Sequence, residues 1–431
     1  MKGDKGVPWT PLSAAELNAF VAIFILMGIN KLPKISDYWS QTPGLGNSWI
    51  SDTMSRNRFF KINKYIHLHD VETELPRGHA NFDSLQKIRR VLNHMKQKFG
   101  QFYVPRKCLS IDEAMIAYKG RVRFKQYVPS KPTRWGIKVF ELCDSVSGYC
   151  LDFDVYTGKD RKPSNMGLGY DVVKMFMERY LHKFHHVFYD RFFSGLPICE
   201  YLLANNTYVS GTIMLNRRGL PKKAKTTKLG RGASVLYQKN QSNVVLTTWM
   251  DKRQVNLLSS GSTNEVDENG KPLSIINYNR YMGGVDLNDQ LCQYYRVGRK
   301  CLKWWRYVLW FTVNTAITNA WILYKSSPHY NRRRKINTHE KFRLELRQQL
   351  RDGFTSRKRA GRPVQQHRIP ARVIASVNGH NMVKAEGRPK ACQQCRLDGR
   401  RTQRGYPVKT VCICIKCNTR LCQGQCFMRF H

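Results

Sequence analysis

Acidic residues are what this chain has least of. Its 73 Lys and Arg face only 30 Asp and Glu, a formal balance of +43 over 431 residues. That surplus exceeds what solubility asks of a surface and points to a polyanionic partner, nucleic acid before any other. Long apolar runs are also lacking. The strongest, within Ala14 to Met27, is too short for a bilayer span and polar at its start. It reads as a buried core helix capped by Ser13, and no membrane partner is expected. No secretory leader is read at Met1. So basic a chain belongs in a reducing nuclear compartment, where its 13 cysteines stay as thiols.

The positive charge is clustered. Arg296 to Arg372 holds 20 Lys and Arg against three acids, and Arg217 to Lys239 holds eight and none. Arg296, Arg299, Lys300, Lys303, Arg332, Arg333, Arg334, Lys335, Arg357, Lys358, Arg359 and Arg362 are the candidate DNA contacts, with phosphate binding that falls steeply with salt. Gly361-Arg-Pro363 loosely matches the core of a minor-groove hook, although a flexible basic tether or nuclear import signal reads as well. Trp304 and Trp305 lie among these basic residues, but the helical spacing of Trp305, Leu309 and Val313 favours core over base stacking.

Scarcity makes three aspartates conspicuous. Asp112 interrupts an alternating apolar run, Asp190 ends one, and Asp286 follows Gly283-Gly284. An isolated buried carboxylate is costly unless it is paired or binds a metal. Converging carboxylates suit Mg²⁺ or Mn²⁺, and a pair of such ions is the usual device for cutting and rejoining phosphodiesters. Glu113, next to Asp112, is expected on the opposite face of its strand and outside the ligand set.

The elements around these residues follow one order. Strands are predicted over Cys108–Tyr118, Ile137–Cys143 and Tyr149–Tyr156, a helix over Tyr170–His182 and a strand over His186–Tyr189. A helix over Leu196–Leu203 and a strand over Tyr208–Met214 complete the series. This is the order of an RNase H-like α/β fold, with one Asp on its first strand and another after its fourth. Helical segments are expected around it, including Phe82–Phe99.

With these elements in place, the motifs MGINKLPKISDYWS, LSIDEAMIAYKGRVRFKQYVPSKPTRWGIKVF, YDRFFSGLPICEYLL and YNRYMGGVDLNDQ make the chain resemble the piggyBac transposases and the host genes derived from them. The resemblance implies a DDE/DDD recombinase that cuts and pastes at TTAA by hydrolysis and then 3′-OH transesterification. Asp112, Asp190 and Asp286 would be its metal-binding catalytic residues, with Asp289 assisting. It implies a homodimer on double-stranded terminal-repeat and target DNA, and a longer, often acidic region ahead of the segment at which this chain begins. The domains expected are a helical dimerisation and DNA-binding domain (1–105 with 296–374), a catalytic core (106–216 with 273–295), an insertion (217–272) and a cysteine-rich domain (375–431). A transposase-derived chromatin protein without transposition is the alternative.

Seven cysteines lie between Cys392 and Cys426, with 18 residues separating the Cys392-x₂-Cys395 and Cys414-x₂-Cys417 pairs. That spacing suits zinc. His380, Cys392, Cys395, Cys414, Cys417, Cys422, Cys426 and His431 are eight candidates, enough for two Zn²⁺, with Cys412 as a spare. Which four share an ion is open, and a cross-braced arrangement is one of the possibilities. Such a module could read DNA, recruit a protein or serve only as structure. The spacer's Arg396, Arg400, Arg401, Arg404 and Lys409 favour DNA.

Overall fold

The computed structural model describes residues 9–129, 131, 133–328, 330, 338–356 and 373–431. The chain divides into two compact units, Met1–Arg357 and Lys358–His431. Among the described residues, no helix is long and apolar enough to cross a membrane.

A nine-stranded sheet organises the first unit. Its strands are β1 (Cys108–Ala117), β2 (Lys125–Tyr127), β3 (Trp135–Asp144), β4 (Cys150–Val155), β5 (His186–Tyr189), β6 (Tyr208–Thr212), β7 (Ser234–Gln238), β8 (Val244–Met250) and β9 (Gln254–Ser260). The spatial order is β2-β3-β1-β5-β6-β9-β8-β7, with β4 also paired to β3. β1 runs antiparallel to β3 and parallel to β5, and β5 runs parallel to β6. The five predicted strands are all present, within a few residues of their predicted ends. β7 to β9 lie in the 217–272 segment set apart as an insertion, yet they extend the same sheet through the β6–β9 pairing.

The remaining helices of this unit are α1 (Ala14–Ile29), α2 (Ser48–Thr53), α3 (Arg56–Tyr65), α4 (Arg89–Phe102), α5 (Leu168–Met177), α6 (Leu196–Ala204), α7 (Lys222–Thr226), α8 (Leu273–Tyr281), α9 (Gly284–Tyr294), α10 (Trp304–Ser326) and α11 (His339–Arg351). Ser13 caps α1 by accepting from the Glu16 amide at 3.1 Å. The predicted Phe82–Phe99 helix starts later, at Arg89. Asp83 instead bonds the Leu85 amide and pairs with Arg89 at 2.7 Å, folding residues 82–88 as turns.

Alternation decides what covers the sheet. Leu109 and Ile111 of β1, with Phe140 and Leu142 of β3, pack beneath Val172 and Phe176 of α5 and Leu202 of α6. The opposite face presents Ile116, Ile137, Val139 and Phe153 to Leu92 and Phe99 of α4, Val285 of α9 and Trp305 of α10. Trp305 is thus core. A third cluster joins α1 and α3 to α10, where the Phe24 and Trp310 rings lie 4.2 Å apart.

In the second unit, β10 (Val373–Val377), β11 (His380–Lys384), β14 (Cys412–Cys414) and β15 (Thr419–Arg420) form a four-stranded sheet in that order. β12 (Lys390–Ala391) pairs with β13 (Lys409–Thr410), and two short helices, α12 (Gln393–Leu397) and α13 (Gln425–Phe430), complete the unit.

Candidate active site and metal centres

The parallel register between β1 and β5 sets two of the aspartates side by side. Ile111 pairs with Tyr189, so Asp112 and Asp190 are the next residues along neighbouring strands. Asp112, Glu113 and Asp190 bring carboxylate oxygens within 4.8 Å of one another. Glu113 lies on the face of β1 opposite Asp112, as alternation predicts, although its carboxylate comes near this pair. On that face Lys138, the register partner of Met115, approaches it at 3.8 Å. But Asp190 follows the last residue of β5, and no ladder confines its carboxylate to one face, so Asp112 and Glu113 reach it from both sides.

Asp286 and Asp289 arrive on α9, three residues apart and therefore on one helix face. They are not part of the Asp112–Glu113–Asp190 group; they face it across Lys131 instead. Lys131 Nζ lies 3.8 Å from Asp112 Oδ2 and donates to the Glu113 carbonyl at 3.0 Å. Burial works against its charge, but Asp112, Glu113, Asp286 and Asp289 outweigh burial and hold the ammonium above its usual range. Gly284 allows α9 to sit this close: a Cβ there would lie 2.3 Å from Ser110 Oγ and 2.9 Å from Ser145 Cα.

Burial first, and then like charge nearby, raises the carboxyls of Asp112, Asp190 and Asp289. The Asp112 carboxyl is pushed up to about 7, with Lys131 opposing, and Asp289 to about 6. Asp190 is raised as well, by burial first. Glu141, the register partner of Asp112 on β3, is fully buried and raised well above the carboxylate range by burial, Asp289 and Asp112. Clustered hard oxygens carrying more negative charge than Lys131 offsets are the donor set of a divalent cation such as Mg²⁺. Lys131, Glu141 and Tyr278 of α8, whose hydroxyl is 3.4 Å from Thr212 Oγ1, escaped the sequence reading. Only Glu141 had a local signal, a charge inside the apolar strand GIKVFELCD.

The basic candidates divide. Arg296, Lys300 and Lys303 are exposed. Arg299 is occupied structurally, donating to the carbonyls of Leu32 at 2.5 Å and Pro33 at 3.0 Å. Arg332, Arg333, Arg334, Lys335, Arg357, Lys358, Arg359 and Arg362, with Gly361-Arg-Pro363, lie outside the described residues.

In the second unit the eight candidate ligands sort into two groups, each with its atoms within 4.8 Å of one another: Cys392, Cys395, Cys422 and Cys426, and His380, Cys414, Cys417 and His431. Chain order alternates between the groups, which is the cross-braced arrangement. Cys412 belongs to neither. The Cys395 and Cys422 amides donate to Cys392 Sγ at 3.5 and 3.3 Å. Sulfur and imidazole in tetrads fit Zn²⁺.

A family described as Transposase IS4 matches residues 1–321. The fold matches a cryo-EM structure of a piggyBac transposase synaptic complex with hairpin DNA, with a TM-score of 0.76 and 24% identity over 98% of this chain and 91% of that one. The chain belongs to the piggyBac transposase family. Among its piggyBac relatives, human PiggyBac transposable element-derived protein 3 is 27% identical over 338 residues, which cover 73% of this chain and 56% of the relative. Human PiggyBac transposable element-derived protein 2 is 25% identical over 340 residues, with the same coverage. The chain therefore spans little more than half the length of these relatives.

Proposed function

We propose that this chain is a DNA transposase of the piggyBac type, excising and inserting DNA at TTAA by hydrolysis followed by 3′-OH transesterification. The observation that carries this reading is the register that sets Asp112, within β1, beside Asp190 at the end of the parallel strand β5, with Asp286 and Asp289 on α9, which packs against β1. The core is then an RNase H-like catalytic core, with Asp112, Asp190 and Asp286 as cation ligands and Asp289 assisting. A divalent cation there supplies positive charge to the attacking and departing oxygens. Asp112 and Asp190 fix its position on rigid strands, Lys131 offsets surplus charge in its vicinity, and α9 closes the site. Positioning and charge neutralisation carry such a reaction without any covalent bond to the protein.

DNA engagement rests on the +43 balance and the exposed Arg296, Lys300 and Lys303. Two Zn²⁺ would hold the second unit, whose basic spacer suits end-DNA reading. Nuclear localisation and a homodimer complete the proposal. A transposase-derived DNA-binding protein is the second reading, favoured because the curated relatives are themselves named as transposable element-derived proteins.

An excision and strand-transfer assay with Mg²⁺ or Mn²⁺ on the flanking inverted repeats tests it. Wild-type protein should give products joined at TTAA and Asp190→Ala none. Salt-sensitive DNA binding without products from either protein would favour the second reading.

A further inference from the structure

Glu141 is the one carboxylate of this region whose two oxygens are both buried without a hydrogen-bond partner among the described residues. Its exposure is 0%. Buried acceptors are almost always satisfied, and an unsatisfied carboxylate is among the costliest groups to enclose. Among the described residues, no protein donor makes a hydrogen bond to either oxygen. Cys143 and Cys150 bring their sulfurs within 4.8 Å of it, but Cys150 Sγ donates to the Asp152 carbonyl at 3.4 Å. Val139, Phe153 and Val285 are apolar, and Lys131 is engaged with the Glu113 carbonyl and Asp112.

Its position explains what it awaits. Cross-strand partners project from the same face of a sheet, so Glu141 and Asp112 lie together beneath α9. Like charges placed opposite each other destabilise a sheet unless something positive or hydrogen-donating stands between them. We propose that Glu141 is an outer carboxylate of the cation site, accepting hydrogen bonds from water that a divalent cation brings between Asp112 and Asp289. Mg²⁺ and its relatives retain several waters when held by few carboxylates, and those waters are donors. Glu141 is a positioning residue in this scheme, acting on the cation through water. The inference rests on the reading of Asp112 as a cation ligand.

Mn²⁺ titration of the zinc-replete full chain, followed by electron paramagnetic resonance, separates the two claims. Wild type, Asp112→Ala, Glu141→Gln and Glu141→Met are compared, and melting temperature is recorded without Mn²⁺. The expected result is loss of the site in Asp112→Ala and a 10–100-fold weaker midpoint in Glu141→Gln, the range for outer-shell partners of metal ligands. Both Glu141 variants should melt no lower than wild type without Mn²⁺, since each removes a buried carboxyl whose oxygens have no hydrogen-bond partner. An unchanged midpoint in Glu141→Gln, with the site lost in Asp112→Ala, overturns the role of Glu141 alone. Lower metal-free melting in both Glu141 variants with unchanged Mn²⁺ midpoints assigns the residue to structure instead. Undiminished binding in Asp112→Ala overturns the reading of the site, and Glu141 falls with it.

Discussion

Stripping zinc from the C-terminal unit should unfold that unit and leave residues up to 357 folded. The unit has about 60 described residues, and its buried side chains are mostly the cysteines themselves. Met382, Val383, Leu421 and Phe427 are the other apolar side chains in its interior. At about 1.5–3 kcal/mol each, these four contribute roughly 6–12 kcal/mol. A structural zinc site contributes about 10–16 kcal/mol of apparent binding energy, so one ion matches that core and two outweigh it. Because the two ligand groups alternate along the chain, losing either releases segments that the other also braces. The assay is metal counting by mass spectrometry, then limited proteolysis with and without a zinc chelator. Two zincs per chain are expected, one in Cys395→Ser, with cleavage after chelation confined to residues 358–431. A chain carrying no zinc, or one whose C-terminal unit resists protease after metal removal, would refute the reasoning.

Other perturbations reach the first unit. Asp112 and Asp289 have folded-state pKa values of about 7 and about 6, above the 3.8 of a free aspartate, so burial favours their neutral forms. Their contribution to the stability of the metal-free chain is present below about pH 4 and lost as pH rises through 6 to 7. A cation needs the charged forms, so the rise in melting temperature on adding Mg²⁺ should be small near pH 5.5 and grow toward pH 8; a pH-independent rise would contradict this. Gly284→Ala should push α9 outward, costing about 1–3 kcal/mol in urea unfolding and weakening Mn²⁺ binding. Adding Ser110→Ala should not restore it, because Asp144 O and Ser145 Cα lie within 3.0 Å of the new methyl group. Asp144, fully buried, accepts from the amides of Arg106, Val146 and Ser147 at 2.8–3.0 Å. Asp144→Ala should therefore cost about 3–5 kcal/mol in urea unfolding and Asp144→Asn clearly less, since an amide oxygen still accepts.

The strand order, the helix cap at Ser13, the core role of Trp305 and the eight metal-ligand candidates were legible because each is a local signal. Alternation marks a strand, a 3.6-residue period marks a helix, and Cys-x₂-Cys spacing holds whatever the chain does elsewhere. Asp112, Asp190 and Asp286 stood out for the same reason, as carboxylates set against apolar or glycine-rich surroundings in a chain poor in acid, while Asp289 was named only through the family resemblance. Alternation places Glu113 opposite Asp112 correctly, but it could not show that Asp190, just past the end of β5, comes near both. β2 was missed because a three-residue edge strand carries little periodic signal, and the extension by β7 to β9 because it depends on the long-range β6–β9 pairing.

By itself, then, the sequence determined which residue types could do chemistry and in which local element each would sit. Only the tertiary structure decided which of them meet. Asp112 neighbours Asp190 through a parallel register spanning nearly 80 residues, Lys131 comes to four carboxylates from a loop, and Glu141 finds Asp112 across an antiparallel pair. The cysteines and histidines sort into alternating tetrads only once β11 and β14 are paired. Hydrogen-bond register and packing fix such distances, and both join residues far apart in the chain, so no window of local sequence contains them.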